Sequence, residues 1–387
     1  MKKICTLIFT IILFFSFSVF AFAQNIENEI MNSVEDELSS FKDSLPDYVL
    51  EYLPSEALNG DYYSLLSNAF DEGKLLSYII DYLFLGIDKT IKIFGSILVL
   101  LLISSIFEML SSSLSNQSLS LAFTACSGLC VALTVFNVCS SIATYVTTYT
   151  RILCQAMNAF APIMTTLLIM NGKVSTATIT STAMILFISL VDSFIVACML
   201  PLVKICMMFS CVKSLGGIEF GGISKVIRTT FTSVTVFVMS IFMFIFSIKS
   251  VLSQGADTVG LKTARFAISS FIPIVGASIN DALRTVSSSL SLIKSSCGAL
   301  AILIIALIMI PIIVYILLNK LSFGLLAGIS RVIKCEKQGL ILEEADALCT
   351  YMLTVVACTC VLFIFALTIF IKISTGDSWW IHILTLF

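Results

Sequence analysis

Long uncharged apolar runs alternate with short charged stretches along most of this chain. The runs 229–248 and 299–318 contain no charged residue, and about 20 helical residues cross the roughly 30 Å hydrocarbon core of a bilayer. Backbone groups in lipid must hydrogen-bond internally, so runs of this kind form helices. The pattern therefore predicts an all-α, polytopic transmembrane protein.

Charged residues mark the ends of about seven predicted spans in a membrane domain over residues 89–373, which a tail at 374–387 follows. The predicted spans are Ile93–Phe107, Leu119–Ile142, Ile152–Met170, Ser175–Met208, Thr229–Ile248, Ser295–Asn319 and Ala347–Ile371.

The first 23 residues have the pattern of a secretory signal peptide. Lys2 and Lys3 precede an apolar core at 4–20, and Ala21-Phe22-Ala23 has the small residues that signal peptidase accepts. We expect the mature chain to begin at Gln24, with an uncleaved signal anchor as the alternative.

Residues 24–88 are predicted to form a short, acidic, extracytoplasmic helical segment. Residues 24–82 carry 13 acidic and two basic residues, whereas the rest of the chain to Phe387 has a net charge of +7. Apolar residues recur every three or four positions from Ile26 to Leu45, and Pro46 ends this helical stripe. The segment is either a cap over the protein's own membrane region or an arm that binds a partner.

Composition excludes several classes of protein. Only 12% of residues are charged and mean hydropathy is +1.05, whereas soluble domains carry about 25% charged residues. No basic surface suited to nucleic acid appears. The 13 cysteines lie mostly in apolar runs and the chain has one histidine, so we expect no metal site, no disulfide framework and no cofactor. No nucleophile with a plausible base and no phosphate loop is present, so we expect no catalysis.

Two glycine pairs, Gly216-Gly217 and Gly221-Gly222, lie between two predicted spans. Paired glycines allow a sharp turn or a close approach of helices. We interpret them as a tight turn, with a hinge as the alternative.

The segment Phe266–Ile279 is too short to span comfortably and is broken by Pro273 and Gly276. Such segments form re-entrant backbone beside a cavity. The helix that follows, with Asp281 and Arg284, is interpreted as a helix bordering a passage or as an interfacial helix.

Asp192 interrupts an apolar span. An intramembrane carboxylate is costly and therefore a functional candidate, unless the span ends near Leu190 and leaves the carboxylate at the interface.

Span orientation is left open by the distribution of basic residues. Counting seven spans from a cleaved signal places the basic residues at 204–228 and 320–337 outside, against the positive-inside tendency. A re-entrant early segment would make both basic loops cytoplasmic, but Lys249, Lys262, Arg265, Arg284 and Lys294 would then lie outside.

The order of these parts resembles the stage III sporulation protein AE family of endospore-forming bacteria. The resemblance covers most of the chain and is most specific over Lys262–Asp281, while Ser378–Phe387 has no counterpart. Its other motifs are Phe160-Ala161-Pro162, the paired glycines, Thr258–Phe266, Ser270–Gly276 and Asp281-Ala282.

The resemblance implies a multi-pass protein of the mother-cell membrane around the forespore. Its implied partners are other stage III sporulation A-type membrane proteins and a forespore-side channel protein, within a channel or secretion-like complex. Homo-oligomerisation is also allowed. Two hypotheses follow: a subunit that forms or lines the membrane passage, and a non-conducting scaffold that anchors the other subunits. No catalytic residues are implied.

Overall fold

The computed structural model describes residues 39, 41–43, 45–51, 72–113, 117–170, 172–216, 221–271 and 276–372. Side chains are described within these ranges except at 72–76, 111–121, 124, 213–221, 250–296 and 370–372. The described residues are helical almost throughout and contain no strand, which confirms the predicted all-α class.

Six long helices follow a short one. Helix α1 covers Asp47–Leu50 and begins directly after Pro46. The long helices are α2 (Glu72–Ser113), α3 (Gln117–Met170), α4 (Val174–Gly216), α5 (Gly221–Phe271), α6 (Gly276–Val332) and α7 (Glu336–Lys372). Each long helix contains a stretch that is long and apolar enough to cross a membrane, so six candidate spans lie in the described part of the chain. The chain is a multi-pass membrane protein.

The difference from about seven predicted spans lies in α3. The predicted spans Leu119–Ile142 and Ile152–Met170 belong to this one helix of 54 residues. No glycine or proline separates them, so nothing in the backbone forces a turn there. Arg151 was interpreted as the end of a span, but it lies inside the helix.

Two of the helix ends share one hydrogen-bonding pattern. After α3, Gly172 has φ 71° and Lys173 N donates to Leu168 O at 3.0 Å. After α6, Lys334 has φ 61° and Cys335 N donates to Ser330 O at 2.8 Å. A residue in the left-handed region, followed by a residue whose N–H bonds to the carbonyl five residues back, is the Schellman ending, and it turns the chain sharply into the next helix.

Helix α6 is the central helix of the bundle. It packs against α2, α3 and α7, and 67% of its most apolar stretch is buried. Pro311 lies inside α6 and has no N–H for the carbonyl of Leu307, four residues earlier. The Tyr78 hydroxyl of α2 donates to that carbonyl at 2.5 Å, so a tertiary bond replaces the missing helical one.

The described part of the acidic segment packs against the bundle. Phe41, Leu45 and Val49 are buried, and the Phe41 ring lies 5.5 Å from Phe160 of α3. The described part of this segment, residues 39, 41–43 and 45–51, thus packs on the protein's own helices. The expected boundary between residues 88 and 89 lies inside α2, so the acidic segment and the first span share a helix.

Candidate functional site

A row of polar side chains runs along the outside of α3. Ser141, Thr144, Thr148, Arg151, Gln155 and Asn158 are exposed and are spaced alternately by three and four residues. This spacing keeps them on one face of the helix. We call these six residues the α3 polar stripe; they rise over about 26 Å, at about 1.5 Å per residue.

The other face of the same helix is apolar and buried. Leu153, Met157, Phe160 and Met164 are all at most 2% exposed. Helix α3 is therefore amphipathic over this region, and its outward face is the polar one. This is the reverse of what a helix surrounded by lipid presents.

Three contacts fix the depth of the stripe in the membrane domain. Cys154 Sγ lies 3.9 Å from Ile188 O of α4. The adjacent Phe187 ring lies 5.8 Å from Phe242 of α5 and 5.5 Å from Phe363 of α7. Those two phenylalanines lie in the uncharged runs 229–248 and 347–371. The stripe around residue 154 thus lies beside the apolar runs of α5 and α7, and the acidic segment also reaches this part of α3, where the Tyr48 and Tyr149 rings lie 6.4 Å apart.

The predicted residue Asp192 lies beside this stripe. Its Oδ1 lies 3.8 Å from Arg151 Nε, and the two side chains are 37% and 57% exposed, respectively. Ser189 and Ser193 flank Asp192 on α4 and are exposed as well. The ion pair therefore joins α3 to α4 on the outer surface of the chain, at the depth of the apolar spans.

Hydroxyl groups alone do not make the stripe polar. The Thr144 hydroxyl donates to Ser140 O at 2.9 Å, and that of Thr148 donates to Thr144 O at 3.0 Å. Such bonds satisfy the hydroxyl within its own helix. Arg151, Gln155 and Asn158 have longer side chains with several donors or acceptors, and these three residues decide the character of the face.

A second group of charges is partly buried near the α4–α5 and α6–α7 connections. Glu344 Oε1 of α7 accepts from Arg228 Nη1 and from Ser224 Oγ, each at 2.5 Å. Lys320 Nζ of α6 contacts Asp346 Oδ1 at 2.9 Å. These pairs join α5, α6 and α7 and satisfy one another, so we interpret them as structural.

The other predicted site residues are dispersed. Gly216 ends α4, Gly221 begins α5 and Gly217 lies outside the described residues, so the paired glycines lie at the connection between two helices. Open space surrounds the Cβ position of Gly222.

The segment predicted to be re-entrant is only partly described. Its ends are the last turn of α5 and the start of α6 at Gly276, and Pro273 lies outside the described residues. Asp281 and Arg284 lie on α6 in a stretch without described side chains. Of the predicted residues, Asp192 alone has a described polar partner.

Sequence reasoning missed Arg151, Gln155 and Asn158. Their signal was the alternating spacing of three and four from Ser141 to Asn158. Division of this region into two spans at Arg151 concealed that spacing.

Metal-binding and nucleophilic groups are not assembled in the described part of the chain. No group of three or more His, Cys, Asp or Glu residues there could hold a metal ion. Cys335, between α6 and α7, is buried with its Sγ 3.9 Å from Leu101 O. Burial raises the pKa of the Cys335 thiol to about 11, so this cysteine is a neutral thiol at physiological pH and a poor nucleophile.

Comparison with known proteins identifies the family of this chain. The chain is 21% identical over 251 residues to stage III sporulation protein AE of Bacillus subtilis (strain 168), and this match covers 65% of the chain and 61% of the relative. No solved structure matches the chain significantly. The profile described as stage III sporulation protein AE matches residues 63–374. The chain belongs to the stage III sporulation protein AE family.

Proposed function

We propose that this protein is a non-enzymatic membrane subunit of the channel or secretion-like complex between mother cell and forespore, and that its α3 polar stripe lines the membrane passage. It acts in the mother-cell membrane around the forespore, with other stage III sporulation A-type proteins and a forespore-side channel protein as partners. Family membership supports the role in sporulation. The stripe supports the finer role.

The exposed stripe at span depth is the observation that carries this proposal. A charged side chain at the bilayer centre costs about 2.5–3.5 kcal/mol on insertion scales. Arg151 and Asp192 form a loose pair that is partly exposed, and Gln155 and Asn158 are exposed one and two turns further along. Lipid satisfies none of these groups. Water or another protein surface does.

Packing of the bundle favours a passage between subunits over one through a single chain. Tyr78, Phe160, Phe323 and Phe363, on four different helices, are among the largest fully buried side chains, so large side chains occupy the interior between the described helices. The stripe, in contrast, faces outward. Several copies, or this chain with its partners, would place such stripes around a shared water-filled path.

The scaffold hypothesis uses the same surface differently. There, the stripe binds a polar helix of another subunit and is buried in the assembly. Both hypotheses keep the stripe away from lipid, so the deciding quantity is the access of water to its side chains in the assembled complex.

Cysteine labelling separates the two hypotheses. In a cysteine-depleted background, Gln155→Cys and Asn158→Cys should react with a membrane-impermeant thiol reagent in sporulating cells, and bulky adducts should block forespore development. Phe237→Cys is the matched control, because Phe237 of α5 is 65% exposed within the apolar run 229–248. We expect it to remain unlabelled.

Reaction at the α3 positions without functional loss would remove the passage-lining role. Protection of both α3 positions in the assembly, with labelling only in the isolated subunit, would favour the scaffold.

A further inference from the structure

A pocket opens between α2, α3 and α6, beside the α3 polar stripe. Its cavity volume is about 70 Å³, and it is lined by four tyrosines, Tyr82, Tyr145, Tyr149 and Tyr315, together with Lys89. The Tyr145 and Tyr315 rings meet edge to face with centroids 5.6 Å apart. Apolar surface with hydroxyl donors and one cation is typical of a site for an amphipathic ligand.

Gly86 and Pro311 form part of the wall of this pocket. Gly86 lines the pocket and has no side chain; a Cβ at this position would lie 2.8 Å from Leu318 Cδ1 of α6. Helix α2 therefore approaches α6 closely at this point. Pro311 also lines the pocket and offers no hydrogen-bond donor. The donors are consequently the tyrosines and Lys89.

Lys89 is the available cation of this pocket. Its neighbour Lys92 donates to Asp88 Oδ2 at 2.8 Å, so that lysine is already paired. Lys89 is exposed and forms no ion pair within the described part of the chain. An anion that entered the pocket would meet an ammonium group without an ion-paired carboxylate, while the Glu51 carboxylate lies near Tyr82 of the pocket wall.

We propose that this pocket binds the phosphate of an anionic phospholipid headgroup. Basic pockets between transmembrane helices bind such headgroups. The apolar side chains of Phe84, Leu85 and Ile91 are exposed on the same helix and offer contacts for acyl chains. A lipid fits this combination of phosphate donors and apolar surface better than free phosphate does. The inference is independent of whether the α3 polar stripe conducts.

The test uses the full-length protein in nanodiscs of phosphatidylcholine, with binding of a fluorescent phosphatidylglycerol as the readout. Loss of one charge-assisted hydrogen bond costs about 1.5 kcal/mol or more, so Lys89→Gln should weaken binding about tenfold. Lys92→Gln is the matched control one turn away, because Lys92 is paired with Asp88 and does not line the pocket. We expect its affinity to stay within about twofold of the parent, since exposed ion pairs contribute little.

Three outcomes would overturn the proposal. Equal lipid affinity of Lys89→Gln and the parent protein would show that Lys89 does not bind the headgroup. Equal losses in the two lysine variants would reduce the effect to general surface charge. Displacement of the lipid by inorganic phosphate at the same concentration would make the site one for a free anion. Preserved folding of both variants, checked by circular dichroism, makes each result interpretable.

Discussion

Helices α3 and α5 lie at the same depth and expose opposite surfaces. Helix α5 exposes Val234, Phe237, Phe244 and Ile245, with exposed fractions from 43% to 66%, whereas α3 exposes the polar stripe. Both helices contain a stretch that is long and apolar enough to cross a membrane. The difference indicates that α5 faces lipid and that the exposed side of α3 does not.

Hydropathy averages conceal this difference. Helix α5 also contains Thr232 and Ser240, but their hydroxyls donate to Arg228 O and Val236 O at 2.9 and 2.8 Å. Hydroxyl residues of this kind are compatible with lipid. What distinguishes α3 is the presence of a guanidinium and two carboxamides on one face, groups that a single helix cannot satisfy by itself.

Lysine substitution tests the comparison most strongly. Phe237→Lys on α5 should destabilise the inserted protein by about 3 kcal/mol, the cost of a lysine at the centre of a span. Gln155→Lys on α3 should cost well under half of that, because its surroundings are polar. Unfolding titrations in detergent–lipid micelles, together with the membrane-inserted fraction in cells, measure both. Equal costs at the two positions would remove the distinction between the faces.

The ion pair gives the next largest effect. Asp192→Leu and Arg151→Leu should each lower spore yield at least tenfold without loss of membrane insertion, because each leaves a charge beside an apolar residue at span depth. The double variant removes both charges. If the pair lines a passage, the double variant remains defective; a return to full spore yield would make the pair a purely structural link between α3 and α4.

The comparison of α3 with α5 requires that the helices keep fixed positions along the bundle axis. Hydrogen bonds between helices maintain these positions. Tyr78→Phe removes the donor to Leu307 O and should lower the free energy of unfolding by about 1–3 kcal/mol, the cost of an unsatisfied buried acceptor. In a Pro311→Ala background, residue 311 supplies the missing N–H, and the cost should fall below about 0.5 kcal/mol. An unchanged cost in that background would show that Tyr78 acts through packing alone.

Much of the fold was predictable from the sequence, because hydrocarbon imposes one simple requirement on backbone groups. Uncharged runs near 229–248, 299–318 and 347–371 gave spans that the structure also has. About seven spans were predicted and six candidate spans lie in the described part of the chain; the two counts differ at Arg151, where a charge was taken as a helix end. Tertiary structure instead supplies that charge with a partner, Asp192, on the next helix.

The candidate site was only partly predictable. Asp192 was identifiable, because a carboxylate in an apolar run is conspicuous. Gln155 and Asn158 lie on α3, and their spacing with Ser141, Thr144, Thr148 and Arg151 places them on one face, but whether that face is exposed depends on the helices packed around it. The tyrosine pocket was not predictable at all, since it joins residues of α2, α3 and α6 that are far apart in sequence.

The continuity of α3 also determines the parity of the membrane domain. If each of the six candidate spans crosses the membrane once, the N-terminal end of α2 and the C-terminal end of α7 lie on one side. The α4–α5 and α6–α7 connections, near Lys213, Lys225, Lys334 and Lys337, lie together on the opposite side. The positive-inside tendency favours a cytoplasmic location for that opposite side, whereas Lys249, Lys262, Arg265, Arg284 and Lys294, around the α5–α6 connection, then lie on the outer side. A topology reporter attached after Lys372 should therefore report the same side of the membrane as one attached ahead of Glu72.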